Sequence, residues 1–519
     1  MNVVEQILSR GEAAAPAVLT QNSICTYGEL RQRVNYIAAW LLKRGHSKGA
    51  RIGIFAENSA FFVAVYLGII RAGLVAVPLP TELGAESLAK MALVSGMSEV
   101  LASTRLAKRA RDWAGLAGIP ALSETELGTP APDGAKSLPE IEPRQDLASL
   151  MFTSGSTGSP KAVMITHRNI ECNAQDIIGY MGLSAADRVM VVLPFFYCFG
   201  LSLLHTHLMT GAALVLNNAF KLFPEQVLEE MRGQNCTGLA GVPSTYQILL
   251  RKTRFPTLTF PGLRWFQQAG GKLPDACIRE LRSSFPHVRF FLMYGQTEGT
   301  SRLSYLPPER LQEKFGSIGK GLSSTRLEVL KGDGAPVVPG SGEIGEIVAS
   351  GENIGQGYWN DPVETAVFFK NGKLHTGDLA RVDDDGFIFF VERTRDMIKV
   401  GGNRVSSREV EGVIAEIQDV VEVAVIGVAH DLLGEAIKAF VVPRRNSGLR
   451  PDAILTHCRN RLPAFKVPHE INFLEAMPYN SAGKILKPKL REMAKAPTIE
   501  EPMPVLANVA GASALIEAR

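Results

Sequence analysis

Hydrophobic and polar positions along the chain follow two alternating periods. From Thr26-Tyr-Gly-Glu-Leu30 an amphipathic pattern at helical spacing runs to about Arg44. Arg51-Ile-Gly-Ile-Phe-Ala56 reads as a core strand, Ala60 to Arg71 as a helix and Leu74 to Leu79 as the next strand. Leu150, Met151 and Phe152 read as the end of another buried strand, and a helix-like segment begins near His167 and continues to Gly182. Further strands are expected at Arg188 to Leu193, Ala212 to Leu216, Thr237 to Gly241, Arg264 to Gln268 and Val288 to Met293. Short continuous apolar runs separated by helices indicate parallel sheet covered on both faces, so the expected class is α/β with two wound sheets. Gly128 to Arg144, rich in Pro, Ala and Gly, reads as a surface connection between them.

After Tyr294 the pattern changes to short strands punctuated by glycine, such as Thr325 to Leu330 and Glu343 to Ala349, which suggests a small β-barrel subdomain closing at Glu392. A compact unit with its own alternation follows from Asp396 to about Leu490, and Ala494 to Arg519 reads as a mobile tail with little periodicity. The expected organisation is a large domain over residues 1–394, a smaller mobile α+β C-terminal domain over 395–490 and a flexible tail over 491–519. A chain of 519 residues is too long for one core and fits roughly three or four folding units.

Charge narrows the partners. With 55 Lys and Arg against 52 Asp and Glu, a formal charge of +3 is too weak to argue for nucleic acid or anionic membrane as a partner, and none is expected. Six cysteines stand far apart with no Cys-x-x-Cys, so neither a disulfide framework nor a zinc site is suggested, and a reducing cytoplasm is the expected compartment. Met1 to Arg10 has no secretory pattern. Phe61 to Pro80 is the most apolar stretch, but Arg71 and Gly73 interrupt it and Pro78 and Pro80 close it, as in a buried helix and strand rather than a membrane span.

The chemistry concentrates in Met151-Phe-Thr-Ser-Gly-Ser-Thr-Gly-Ser-Pro-Lys161. Gly155 and Gly158 permit positive φ and close backbone approach to an anion. Thr153, Ser154, Ser156 and Thr157 add hydroxyl donors, and Lys161 adds a point charge suited to polyphosphate. Composition alone also allows a flexible linker, but a linker does not usually sit between a buried strand and a helix, as this stretch is expected to, and end in a fixed Pro-Lys pair, so phosphate binding is the expected role. The spacing does not fit Gly-x-x-x-x-Gly-Lys-Ser/Thr, so this is no Walker loop.

Phe152-Thr-Ser-Gly-Ser-Thr-Gly-Ser-Pro-Lys-Ala-Val163 closely resembles the signature loop of the adenylate-forming superfamily of acyl- and aryl-CoA ligases, peptide-synthetase adenylation domains and luciferases. Tyr294-Gly-Gln-Thr-Glu-Gly299 resembles a second element of that family, and the resemblance gives each residue a role. It implies that Tyr294 stacks on adenine beside Gly295, that Thr297 contacts the α-phosphate and carboxylate, and that Glu298 helps hold Mg²⁺. An aromatic face, a hydroxyl and a hard oxygen ligand suit those tasks. Gln268-Ala-Gly-Gly-Lys-Leu273 lies where the family has a glycine-rich turn, which implies that Gly270 and Gly271 border the adenine and acyl pocket; Lys272 departs from the small residue usual there and reads as a surface lysine.

His375-Thr-Gly-Asp378 resembles the element whose aspartate accepts both ribose hydroxyls, and Arg393 matches the arginine supporting that ribose. By the same resemblance Arg395 is the hinge between two half-reactions, where Asp or Lys is more usual. Gly401 and Gly402 in Lys399-Val-Gly-Gly-Asn-Arg404 border the thiol tunnel, a narrow passage that suits glycine, with a simple hairpin turn as the alternative reading of the pair. Asn480-Ser-Ala-Gly-Lys484 matches the element that carries the adenylation lysine. A cation at Lys484 would hold the substrate carboxylate near the α-phosphate and stabilise charge in the transition state.

Leu193-Pro-Phe-Phe-Tyr-Cys-Phe-Gly200 occupies the place of a family element that often carries histidine where Tyr197 stands. Amino-acid-activating relatives usually place an aspartate near this element, and none occurs between Leu193 and Leu204. The expected substrate is therefore a small-molecule carboxylic acid without an α-amino group, aryl or medium-chain, with Tyr197, Cys198, Phe199, Gly241 and Val242 lining a largely apolar pocket. The resemblance implies an AMP-forming ligase that uses ATP and Mg²⁺, with coenzyme A as acceptor. An acyl carrier protein is the alternative acceptor; a luciferase-like oxygenase and a non-catalytic nucleotide-binding protein are the readings outside the class. Replacing Lys484 with alanine is expected to slow acid-dependent pyrophosphate release by on the order of 100-fold or more with an unchanged melting temperature; an unchanged rate would remove Lys484 from the chemistry.

Overall fold

The computed structural model describes residues 1–128, 138–153, 160–479 and 485–495. Four helices occupy its centre. Tyr27–Lys43 starts at a capping box, in which the Thr26 hydroxyl accepts from the Glu29 N–H and the Glu29 carboxylate accepts from the Thr26 N–H at 2.8 Å. Its buried residues, Tyr27, Leu30, Val34, Ile37, Ala38 and Leu41, recur at helical spacing and face Ala60–Arg71. Ala60–Arg71 is buried from Phe61 to Ile70, and Cys198–Thr210 from Phe199 to Thr210. A helix apolar on all sides can only be satisfied in the interior. These helices and His167–Met181 share one core, to which Val34, Phe62, Tyr66, Ile170, Leu204 and Trp265 belong.

Two sheets flank that core. The eight-stranded sheet runs in the order Ser304–Leu306, Arg289–Tyr294, Trp265–Gln268, Gly238–Gly241, Arg188–Val191, Ala213–Leu216, Pro16–Thr20 and Ser23–Thr26; only its two edge strands are antiparallel. The six-stranded sheet runs Ala121–Ser123, Glu99–Ala102, Arg51–Phe55, Val75–Pro78, Leu147–Thr153 and Lys161–Thr166, parallel except for the last pair. The expected α/β class with two wound sheets is what forms, and Phe61 to Pro80 divides into the helix Ala60–Arg71 and the strand Val75–Pro78. No helix among the described residues is long and apolar enough to cross a membrane.

One expectation needs correcting. The strand Lys161–Thr166 pairs antiparallel with Leu147–Thr153, with Thr153 opposite Lys161. The hydroxyl-rich loop therefore joins two strands of a hairpin, and the helix His167–Met181 begins only after the second. Ala162 to Ile165 is too short a run for periodicity to separate it from the helix that follows.

The third sheet is antiparallel, in the order Gly321–Leu322, Thr325–Leu330, Gly345–Gly351 and Lys373–Val382, with Ile388–Arg393 also pairing with Lys373–Val382. Phe369–Lys370 ends that order, and a bridge between Gly319 and Ile388 links Ile388–Arg393 back to its start, giving the barrel-like closure. A fourth sheet, built on the long hairpin of Val420–His430 and Gly434–Pro443, carries the helices Ser407–Ile414 and Pro451–Arg459 and has its own core around Val400, Val410, Ile437 and Ile454.

Burial also sets an acid limit. Desolvation pushes His167 and His207 down to about 4 and His205 to about 3. Each imidazole stays neutral when folded yet takes a proton when unfolded below its ordinary value near ~6.5, so stability falls as pH drops from there through the folded values. The melting temperature is expected to decline steadily from pH 7 to pH 4, and His205→Gln should flatten that decline; a flat profile for the parent protein would contradict it.

Candidate active site

Parallel pairing gathers the motif residues. Arg188–Val191, Gly238–Gly241, Trp265–Gln268 and Arg289–Tyr294 are consecutive parallel neighbours, so their carboxyl ends lie side by side, where α/β sheets hold ligands. Tyr197 to Phe199, Gly241 and Val242, Gly270 and Gly271, and Tyr294 to Glu298 all follow those ends.

Tyr294 ends its strand, and its hydroxyl donates to Asp378 Oδ2 at 2.6 Å. Burial, then the neighbouring Asp378 charge, pushes the phenol well above its ordinary value, so it stays a donor. Asp378 lies in Lys373–Val382, opposite Arg393 in register, and its Oδ1 accepts from Arg393 Nε at 3.1 Å. The three residues assigned to adenine and ribose thus form one linked group. Glu346 steadies the turn before Asp378: one carboxylate oxygen accepts from the Gly377 N–H at 2.9 Å and the other lies 2.9 Å from His375 Nδ1.

The loop after Tyr294 is tightly wound. A Cβ at Gly295 would lie 1.9 Å from the Ser301 carbonyl oxygen, which only glycine avoids. Thr300 and Ser301 hold φ of 61° and 135°, strain of the kind that a surrounding network must enforce. That network is visible: the Thr300 hydroxyl donates to the Asn353 carbonyl at 2.6 Å, and the amides of Asn353 and Asn173 donate to the Arg302 carbonyl at 2.9 and 2.8 Å. Thr297 donates to Cys198 Sγ at 3.4 Å, joining the expected α-phosphate contact to the expected acyl pocket. A cavity of about 10 Å³, the size of one water, lies between Tyr66, Cys198, His205, Thr297 and Thr300. Glu298 accepts the Tyr358 hydroxyl at 2.7 Å.

Tyr197 caps the helix Cys198–Thr210, Phe199 is buried in its first turn, and Val242 caps Pro243–Lys252. Gly270 has φ of 85°, and a Cβ on Gly271 would lie 3.1 Å from Pro243. Lys272 is half exposed beside Asp275, as a surface lysine. Gly401 and Gly402, at φ of 52° and 83°, form the two-residue turn between Ile398–Val400 and Asn403–Val405. Arg395 falls in the turn Thr394–Asp396.

Lys161, expected at the polyphosphate, has protein partners of its own. It is buried, its ammonium lies 2.6 Å from Glu364 Oε2, and the rings of Tyr358 and Phe368 flank it. Thr153 is described at the end of its strand, whereas Ser154, Gly155, Ser156, Thr157, Gly158 and Lys484 lie outside the described residues. Sequence reasoning missed Tyr358, Asn353, Glu364 and Glu346, which act through contacts across 29 to 203 positions of chain and carry no local motif.

Residues 6–359 match the model of the AMP-binding enzyme family, and residues 409–484 match that of the AMP-binding enzyme C-terminal domain. The chain belongs to the AMP-binding enzyme family. This AMP-binding enzyme is 33% identical over 482 residues to a feruloyl-CoA synthase of Amycolatopsis sp, covering 92% of this chain and 95% of that one. It is 31% identical over 476 residues to a long-chain-fatty-acid–CoA ligase of Mycobacterium tuberculosis, covering 90% and 92%. Among solved structures it is similar to o-succinylbenzoate CoA synthetase from Bacillus subtilis in complex with an acyl-adenylate intermediate, with a TM-score of 0.83 at 28% identity, covering 95% of this chain and 98% of that one. In this AMP-binding enzyme, Asp378→Asn is expected to weaken ATP binding roughly 10- to 100-fold by calorimetry, the weight of a hydrogen bond to a charged group. Tyr294→Phe, which keeps the ring, should cost only a few-fold; unchanged binding in Asp378→Asn would refute the ribose assignment.

Proposed function

We propose that this protein is an AMP-forming acid–thiol ligase that activates a carboxylic acid without an α-amino group, aryl or medium-chain, and transfers it to coenzyme A. The reading rests chiefly on the linked Tyr294, Asp378 and Arg393 at the carboxyl edge of the sheet, in a chain whose relatives are CoA ligases. A carboxylate is a poor electrophile. In the first half-reaction its oxygen bonds to the α-phosphorus of ATP as the bond to pyrophosphate breaks; in the second a thiol attacks the acyl carbon and AMP leaves.

Tyr294 supplies an aromatic face for adenine, and Asp378 keeps lone pairs for the ribose hydroxyls, since a carboxylate accepts about four hydrogen bonds. Thr297 donates to an α-phosphoryl oxygen, and the hydroxyls of residues 153–157 cradle the other phosphates. Lys161 adds a cation for the polyphosphate beside those hydroxyls, and its ammonium is held in place by Glu364. Glu298 fits Mg²⁺, which takes one or two carboxylates along with substrate phosphates and water; the ion supplies charge neutralisation on the polyphosphate. Lys484 supplies a cation to the α-phosphate from the C-terminal unit, which turns about Arg395 so that Gly401 and Gly402 reach the thiol passage. Tyr197, Cys198, Phe199, Gly241 and Val242 form the acyl wall, where an added methylene changes binding by only about 1–3 kcal/mol.

Purified protein incubated with ATP, magnesium and a panel of aryl and fatty acids is expected to release pyrophosphate only with acid, and to form an acyl-CoA when coenzyme A is present. Acyl-AMP without a coenzyme A thioester would transfer the acceptor role to a carrier protein. No adenylation of any acid by folded, ATP-binding protein would refute the ligase reading.

A further inference from the structure

Arg302 is 1% exposed, among the largest fully buried side chains of the protein. It stands at the end of the strained loop that follows Tyr294, with its Cα 2.9 Å from where a Cβ on Gly295 would lie. Two asparagine amides, from Asn173 and Asn353, hold its carbonyl, so the residue is pinned from the helix His167–Met181 on one side and from the Asn353 segment on the other. Its guanidinium carbon sits 4.7 Å from the ring centre of Phe199, in the first turn of the helix that carries Cys198.

The charge has no counterion. Nε and Nη2 are buried without a hydrogen-bond partner, and no carboxylate pairs with Arg302 among the described residues. Tyr180 lies beside the guanidinium and accepts a hydrogen bond from it while its own hydroxyl donates to Met293 Sδ at 3.0 Å; burial keeps the phenol neutral, so it is a hydrogen-bond partner and not a counterion. Asp176, one turn earlier on the same helix, has its two oxygens engaged by Ser323 and Ser324. Burying a charge is costly unless it is paired, and a guanidinium cannot escape the cost by losing its proton. Nε and Nη2 form the side-on edge of the guanidinium, the pair of parallel donors that fits both oxygens of one carboxylate.

We propose that Arg302 is the specificity-determining residue of the acyl pocket, and that the acid activated here carries a second carboxylate at its far end, which pairs with Nε and Nη2. This rests on the ligase reading for the reaction but not for the binding. The guanidinium carbon lies over the Phe199 ring, and Asn173 and Asn353 fix the Arg302 backbone, so the donors are set before the acid arrives. A substrate lacking the second carboxylate enters the same pocket but leaves the buried charge uncompensated. A site built to hydrogen-bond a substrate group rejects the analogue without it far more strongly than an apolar wall rejects a methylene.

The test compares matched acids, octanedioate with octanoate and 4-carboxycinnamate with cinnamate, by pyrophosphate release in the parent protein, Arg302→Lys and Arg302→Met. The parent is expected to favour the diacid of each pair in kcat/KM by about 100-fold or more; Arg302→Lys should retain part of that preference, and Arg302→Met should lose or invert it. Without ligand, Arg302→Met should melt no lower than the parent, because a buried unpaired charge is replaced by an apolar chain of similar length. A lower melting temperature with an unchanged acid ranking would show Arg302 to be structural and overturn the proposal, as would a parent that prefers the monoacids. Should no acid be adenylated, diacid-induced stabilisation in the presence of ATP decides: its presence in the parent and loss in Arg302→Met sustains the diacid site while refuting the ligase reading, and its absence overturns the diacid site.

Discussion

Asp378 is buried and takes hydrogen bonds from two directions, from the Tyr294 hydroxyl at the edge of the parallel sheet and from Arg393 on the neighbouring antiparallel strand. Bonds to an ionised group are stronger than neutral ones, and removing either donor would leave a buried charge less compensated. This carboxylate ties the antiparallel sheet to the end of the strand Arg289–Tyr294. The strained loop from Gly295 to Leu303 depends on the same anchor, because it starts at Tyr294 and returns to it through the Leu303 N–H bond to the Tyr294 carbonyl at 2.9 Å.

Around this anchor the other charged groups of the site are balanced with unusual consistency. Lys161 is paired with Glu364, Glu298 takes the Tyr358 hydroxyl, and Glu346 serves the His375 to Gly377 turn. Such pairing holds side chains in one rotamer and lets a polar site exist beside an apolar pocket without large desolvation losses. Arg302 stands apart from that pattern. Its loop is fixed as firmly as the others, yet two nitrogens of its side chain find no acceptor in the described structure.

The C-terminal unit is attached through a second buried carboxylate. Glu392, 1% exposed, accepts from the Ser407 hydroxyl at 2.7 Å and from the Arg408 N–H at 3.2 Å, at the start of the helix Ser407–Ile414. An anion at a helix N-terminus is stabilised by the unpaired N–H groups there. Arg408 also lies over the Phe390 ring at 4.3 Å. The connection across the Thr394–Asp396 turn is thus polar and local, as contacts between domains commonly are, in contrast to the apolar core that binds the two large sheets.

Local chemistry in the chain was sufficient for much of this. The α/β class, the helices Tyr27–Lys43 and Ala60–Arg71 and the strands that deliver the motif loops follow from apolar periodicity and capping residues, which act over a few positions. The family follows from ordered motifs whose residue types suit nucleotide chemistry. What the chain alone left undecided is pairing over distance. The strand Lys161–Thr166 took its identity from a partner strand, Lys161 found Glu364 some two hundred positions away, and the buried state of Arg302 emerged only when the Phe199 helix and the Asn353 segment closed over it. A residue's type states which interactions it can make; only the tertiary structure decides whether they are made, because burial and partner are properties of the folded surroundings and not of neighbours in sequence.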